Sequence, residues 1–286
     1  MTDLTLNLFA GPGGWCTGAR MAGLDGAMVG IEWDAAACAT ARAAGHWRIR
    51  ADVASYPHAA FAGRVVGLLA SPPCPDWSIT GKRLGYAGRS GPLIHEPLRW
   101  TLALRPRWTA WECTPERPVR DRFAADAGVL RRVGYDAAVW VLNAADHGVP
   151  STRRRVFLVA HQDVPVAPPR SSPPRTMADA LGWDGAVLVS NNGTGGDPKR
   201  RGRRPMSTQA FTMTGRCGRN RWVWPDGTAR NLTIAEAGVL QSFPADYPWQ
   251  GGRQQRQQQV GDAVPPQLAA AIIRTLLASS GAERAA

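Results

Sequence analysis

A run of small aliphatic residues, Val65-Val66-Gly67-Leu68-Leu69-Ala70, meets two consecutive prolines, Pro72 and Pro73, after a single serine. The run is short, apolar and bounded by a breaker, which predicts a buried strand. The prolines fix φ and cannot continue a ladder, so the chain must turn out of the sheet there. The next residue is Cys74. In an open α/β sheet, ligands gather beyond the carboxyl ends of the strands. The sequence thus delivers a thiol, on a stiffened backbone, to the place where chemistry occurs. Taken by itself the segment is equally a loop thiol without a role.

The preceding residues predict the rest of such a sheet. Leu4-Thr5-Leu6-Asn7-Leu8-Phe9 alternates and is β-prone, and Ala10-Gly11-Pro12-Gly13-Gly14 follows before a segment able to be helical. Strand, glycine turn and helix form the first half of a nucleotide-binding unit, although the spacing is not GxGxxG and a plain tight turn fits as well. A second strand, Ala27-Met28-Val29-Gly30-Ile31, runs into Glu32-Trp33-Asp34. An acid about twenty residues past the first glycine is where a ribose-binding carboxylate belongs. A capping or solvated acid is the alternative. A helix over 35–44 and a short strand from Trp47 lead to a further acid, Asp52. The expected class is α/β, with a Rossmann-like sheet.

Charge narrows the partner. The 286 residues carry 34 Lys+Arg against 22 Asp+Glu, a net +12, and Lys82 and Lys199 are the only lysines. Arginine forks match phosphate oxygens and base edges, so a polyanion is favoured over a merely solvated basic surface. Five cysteines, at 16, 38, 74, 113 and 217, form no CxxC pair and no metal-ligand spacing with the histidines. No disulfide framework or zinc site is expected, and a reducing, cytoplasmic setting fits. The first residues lack the basic and apolar regions of a signal peptide, and no stretch approaches the ~20 apolar residues of a membrane span.

From residue 165 the pattern changes. Residues 165–174 are rich in proline and arginine and read as a connector, and 176–182 as a short helix. The stretch from Val187 through Gly193-Thr194-Gly195-Gly196 to Lys199-Arg200-Arg201-Gly202-Arg203-Arg204 reads as a flexible basic tract suited to phosphate contact. Segments 208–214 and 220–224 are β-prone. Residues 266–277 place Leu268, Ala271, Ile272 and Leu276 at helical spacing, and should pack back on the first unit. The expected organisation is a catalytic unit over 1–164 completed by 253–286, with a small second unit over 165–252.

Together these motifs resemble the C5-cytosine DNA methyltransferases. The resemblance rests on Phe9-Ala-Gly11-Pro-Gly13-Gly14, Glu32, Asp52 and Pro72-Pro73-Cys74, in that order. It continues in Trp111-Glu112-Cys113-Thr114, where the family's strand end keeps its glutamate, and in Ser151-Thr152-Arg153-Arg154-Arg155, with Ser151 replacing a glutamine. It closes with Leu240-Gln241-Ser242-Phe243-Pro244 and Gln259-Val260-Gly261-Asp262-Ala263-Val264-Pro265-Pro266, where Asp262 stands for the usual asparagine.

The resemblance implies an S-adenosyl-L-methionine-dependent enzyme. Phe9, Glu32, Trp33 and Asp52 would hold its adenosine, Gly11, Gly13 and Gly14 its methionine part, and Pro73, Asp262 and Val264 would complete the pocket. The chemistry is consistent with the residues. Carbon 5 of cytosine is a weak nucleophile until a thiolate adds at carbon 6. Cys74 would attack, Glu112 would protonate N3, and Arg153 and Arg155 would orient the base. A structural salt bridge from Glu112 to one of these arginines is the alternative. The glycine- and cation-bearing loop 79–91 would close over an extruded base, because the ring cannot be reached inside a stacked duplex. Double-stranded DNA is the expected partner of a monomeric protein. The rival readings are the same chemistry on RNA or a free nucleotide, and a non-catalytic DNA-binding relic.

Overall fold

The computed structural model describes residues 3–24, 26–73, 76–77, 84–193 and 197–281. Its main sheet contains seven strands: β1 (Leu4–Leu8), β2 (Ala27–Glu32), β3 (Trp47–Arg50), β4 (Val65–Ala70), β5 (Trp108–Cys113), β6 (Asp136–Asn143) and β7 (Arg154–His161). They lie in the order β3-β2-β1-β4-β5-β7-β6. The first five are mutually parallel, and β7 runs antiparallel between β5 and β6. Strand order reverses between β1 and β4, the switch point at which an open sheet leaves a crevice beyond its carboxyl ends.

Alternation along the strands loads both faces. Leu68 and Trp111 point into one core with Trp100 and Phe123, while Leu69 and Ala110 point into another with Trp15, Leu268 and Ile272. The first core lies under α3 (Glu96–Leu104) and α4 (Arg117–Arg132). The second lies under α1 (Gly14–Ala22) and the long C-terminal helix Pro266–Gly281. Helix α2 (Ala35–Ala43) connects β2 to β3. Leu268, Ile272, Ile273 and Leu276 are all buried, and each such side chain stabilises by about 1.5–3 kcal/mol. Gly18 permits the close crossing of α1 and the C-terminal helix, since a Cβ there would sit 2.6 Å from that of Ala269. The return of the C-terminal segment to the first unit is thereby observed.

A second, antiparallel sheet in the order β11-β10-β8-β9 is formed by β8 (Val187–Gly193), β9 (Arg201–Pro205), β10 (Arg221–Val223) and β11 (Ala229–Asn231). With α5 (Met177–Leu181) and α6 (Ile234–Leu240) it encloses a third core containing Leu188, Met206, Trp222 and Leu240. Val260, on α7 (Arg253–Asp262), also enters this core; the C-terminal helix is α8.

Two sequence expectations are corrected here. The basic tract is a pair of strands, because Val187 and Leu188 pair with Pro205 and Arg204 and sink one face into the third core. Residues 208–214 form no strand, and among the described residues their only ladder contact is an isolated bridge from Ala210 to Ser151. The 165–174 stretch is a connector as expected, without helix or strand. Among the described residues, no helix is long and apolar enough to cross a membrane, and no cluster of His, Cys, Asp and Glu is arranged to hold a metal.

Candidate active site

The glycine turn lies above the switch point. Phe9, half-buried, and Gly11 both adopt positive φ, 53° each, and the backbone passes through Gly13 at φ 117° into α1. Gly14 admits no side chain, because a Cβ would sit 2.1 Å from the Val264 carbonyl oxygen. Val264 thus packs its backbone on the turn and its side chain into the core beneath α1.

Three side chains grip the turn from behind. Arg48 donates to the carbonyls of Ala10 (3.3 Å) and Gly11 (3.4 Å). Tyr247 donates its hydroxyl to the Pro12 carbonyl at 2.6 Å. His46 occupies the space a Cβ on Gly13 would need and lies 3.2 Å from the Thr17 hydroxyl. Sequence reasoning selected none of the three. Arg48 left a trace, a charged residue in an otherwise β-prone stretch, whereas nothing local ties Tyr247 to Pro12.

Glu32 ends β2 and is buried. Its Oε2 accepts the Gly11 N–H and its Oε1 the Asp34 N–H, both at 2.8 Å. Burial pushes its carboxyl up, and hydrogen bonds from the Asp34, Gly11 and Trp33 amides partly offset this. The capping role falls instead to Asp34, which accepts the Ala37 N–H at the start of α2, while the buried Glu32 braces the glycine turn and keeps a second lone pair on each carboxylate oxygen for a ligand hydroxyl. Trp33 beside it is 67% exposed. Asp52 is exposed just past β3, with Oδ1 accepting the Ala54 amide. The Ala51 N–H meets the Glu32 carbonyl, which brings Asp52 beside Glu32 and Trp33.

The second group of residues gathers at the ends of β4 and β5, where Ala70 pairs with Trp111. The next residues, Ser71 and Glu112, therefore emerge side by side. Glu112 is buried, and burial drives its carboxyl above the usual range. The charges of Arg155 and Arg153 and a hydrogen bond from Ser71 oppose this shift, while Asp262 adds to it. Arg155 Nε lies 2.9 Å from Glu112 Oε1. Among the described residues that oxygen nevertheless has no hydrogen-bonding partner, so the contact is a charge pair without a directed bond.

Arg153 precedes β7, is 1% exposed, and donates to the Met213 carbonyl at 3.1 Å. Burial, with Arg155 nearby, lowers its guanidinium to about 9. Both arginines thus act electrostatically on Glu112, but Arg153 also ties the first unit to the second. Asp262 ends α7 and accepts Gln258 Nε2 at 2.8 Å on both oxygens. Surrounding protein pushes its carboxyl up, against the Gln258 bond and the charges of Arg153 and Arg155. Pro73 lies half-buried past Ser71. Cys74 lies outside the described residues, as do 79–83 of the expected closing loop and 194–196 of the glycine tract.

The structure thus places Phe9, Gly11, Gly13, Gly14, Glu32, Trp33 and Asp52 around one end of the crevice. It places Glu112, Arg153, Arg155 and Asp262 together at the other. The sequence pattern of the C-5 cytosine-specific DNA methylases matches residues 4–179 and 188–278.

The chain belongs to that family. The methylase is therefore an S-adenosylmethionine-dependent DNA (cytosine-5)-methyltransferase. It is 27% identical over 329 residues to the Type II methyltransferase M1.HphI of Haemophilus parahaemolyticus, covering 95% of this chain and 86% of that one. It is 28% identical over 307 residues to M.AplI of Arthrospira platensis, covering 96% and 85%. Among solved structures, a putative DNA modification methyltransferase encoded within an E. coli prophage superposes with a TM-score of 0.74 at 18% identity, over 98% of this chain and 99% of that one. A DNMT2 variant of Spodoptera frugiperda gives 0.73 at 14% identity, over 96% and 99%.

The methylase's residues fit its cofactor. Among the described residues no atom lies within 4 Å of where a Cβ on Gly11 would point, leaving room over the turn. The N-terminus of α1 offers a positive dipole end to a carboxylate. Glu32 and Asp52 offer acceptors, and Trp33 an exposed ring for a purine face.

Proposed function

We propose that this methylase modifies carbon 5 of a cytosine swung out of double-stranded DNA, through a covalent adduct at Cys74. The observation that carries the reading is the buried Glu112 carboxyl, flanked by Arg155 and Arg153, at the strand end beside the one that runs into Pro72-Pro73-Cys74. A carboxyl whose proton affinity burial raises is suited to share a proton with ring N3. As it does so, the Cys74 thiolate forms a bond to carbon 6, and carbon 5 gains nucleophilic character. The bound cofactor supplies an electrophilic methyl on its sulfonium. Once carbon 5 has taken the methyl, that carbon loses its proton to a base at the site, the sulfur–carbon 6 bond breaks to regenerate the thiolate, and N3 returns its proton to Glu112. Arg155 holds the base carbonyl, with the charge of Arg153, buried against the Met213 carbonyl, behind it. The base must leave the stack, because its ring carbons are covered inside a duplex.

The same reading takes residues 1–164 and 253–286 as the catalytic domain, with cofactor contacts from Phe9, Gly11, Gly13, Gly14, Glu32, Trp33, Asp52, Pro73, Asp262 and Val264. Residues 165–252 form a small target-recognition domain, whose size suits a short site. The protein acts as a monomer, and the Type II relatives point to modification alongside a restriction enzyme.

Labelled donor offered with duplex DNA, tRNA or dCMP tests the substrate, and 5-fluorocytosine duplex tests the adduct. Label should enter duplex DNA, and a denaturant-resistant protein–DNA species should form with the native chain and not with Cys74→Ala. Label entering tRNA or dCMP alone, or trapping by Cys74→Ala, defeats the reading.

A further inference from the structure

Residues 150–153 lead into Arg155 and are held from outside the main sheet. The β5–β7 ladder stops at Cys113 and Val156, so among the described residues Arg155 is paired by β6 alone, at Leu142. The residues before it lie against the small unit. The Thr152 N–H donates to the Ala210 carbonyl and the Ala210 N–H to the Pro150 carbonyl, both at 2.9 Å. The Thr212 hydroxyl donates to the Thr152 carbonyl at 2.6 Å, and Arg153 to the Met213 carbonyl at 3.1 Å. One side chain of the second sheet joins this seam. Arg204, on β9, donates from Nη1 to the Thr152 hydroxyl at 2.9 Å and to the Ala210 carbonyl at 2.8 Å. Its guanidinium carbon lies 4.3 Å from the centroid of the Phe211 ring. That ring fills the space a Cβ on Gly202 would need, 2.8 Å away, so Arg204 is aimed by its own strand. Arg203, next to it, is exposed on the opposite face.

Resting on the reading above, we propose that Arg204 is a positioning residue: it pins Thr152 to the small unit and so fixes the place of Arg155 beside Glu112 and the base. Two neighbouring arginines of one strand then divide the work. Arg203 meets the polyanion on the outer face, and Arg204 carries the strand's position inward through Thr152 to Arg155. The Thr152 hydroxyl directs its one proton at the Ala210 carbonyl, 3.2 Å away, and therefore receives Arg204 with a lone pair. Arg155 Nε lies 2.9 Å from Glu112 Oε1. Displacing a positioning group by about 1 Å is enough to cost on the order of 100-fold in rate.

Arg204→Met, which keeps the stem over Phe211 and loses every donor, Arg204→Lys and Thr152→Val test this against the native chain. Three readouts are needed: the single-turnover rate at saturating duplex DNA, duplex affinity at several salt concentrations, and amide hydrogen exchange at Thr152 in the protein alone. Arg204→Met should lower the rate by about 10- to 100-fold, with duplex affinity held within about threefold and its salt slope unchanged, since Arg204 faces away from the phosphates. Exchange at Thr152 should quicken by about tenfold. Arg204→Lys should recover part of both, because an ammonium can still donate to the Thr152 hydroxyl. Thr152→Val should reproduce the loss of rate, and adding it to Arg204→Met should cost little more. A native rate in Arg204→Met overturns the proposal, and so does a salt slope lowered by about one, which would assign Arg204 to a phosphate. If that variant does not fold, a native rate in Thr152→Val overturns it. A native chain inactive on duplex DNA defeats the functional reading instead, and equal exchange at Thr152 in native and Arg204→Met chains then overturns the pin.

Discussion

Tyr247 donates its hydroxyl to the carbonyl of Pro12 at 2.6 Å, across 235 residues of chain. The bond is buried, and it holds the turn over which the donor's methionine part is read to lie. Tyr247→Phe leaves that carbonyl without its donor, at a cost of about 1–3 kcal/mol. Donor binding by calorimetry should weaken several-fold while the chain stays folded. Unchanged affinity would mean that the other grips on the turn suffice.

His46 faces Gly13 with Arg20 and Arg48 nearby, and burial followed by these charges lowers its imidazole to about 3 from 6.5. A depressed value means that the folded chain prefers the neutral ring. The stability it contributes is whole above pH 6.5 and drains away as pH falls towards 3. Relative to His46→Gln, the native chain should lose roughly 2–3 kcal/mol between pH 7.5 and pH 4, allowing for partial solvent screening. Urea midpoints of both chains at the two pH values measure this, and parallel curves would contradict it.

Arg203 and Arg221 are both exposed, and both pair with Val189 from opposite sides, which puts them on one face of the small sheet roughly 10 Å apart. Each should neutralise one phosphate. Arg203→Ala and Arg221→Ala should each weaken binding to any duplex and lower the slope of log affinity against log salt by about one. Fluorescence anisotropy at several salt concentrations checks this; a loss confined to one sequence would assign the residue to base reading instead.

Asp262 replaces the asparagine usual in the resembling motif, and Gln258 bonds both of its carboxylate oxygens. Asp262→Asn removes a negative charge near the cationic sulfonium's expected place. Donor affinity should fall by about 3- to 10-fold, and more for the charged donor than for its demethylated, uncharged product. Equal affinities in the two proteins would discard the idea that this residue tunes donor choice.

How much was legible follows from which interactions are local. Val65–Ala70 ends where its residues demanded, because an apolar run and a proline pair act within a few positions of one another. The helix after Pro265 likewise announced itself by periodicity and was found packed on α1. The second sheet was less readable. Arg201–Pro205 is almost wholly polar or charged and gains strand form only because Leu188 and Trp222, from neighbouring strands, supply the apolar face. The pairing of Ala210 with Ser151 and the grip of Arg153 on Met213 are long-range in the same sense.

From the order of residues alone came the α/β sheet, the glycine turn, the acids at the strand ends and the family they resemble, since each is carried by spacing within one segment. The packing decided what surrounds them: Arg48, His46 and Tyr247 behind the turn, Arg155 and Arg153 beside Glu112, and the burial that raises that carboxyl. Desolvation depends on every atom folded around a group, and no short stretch of chain contains that information.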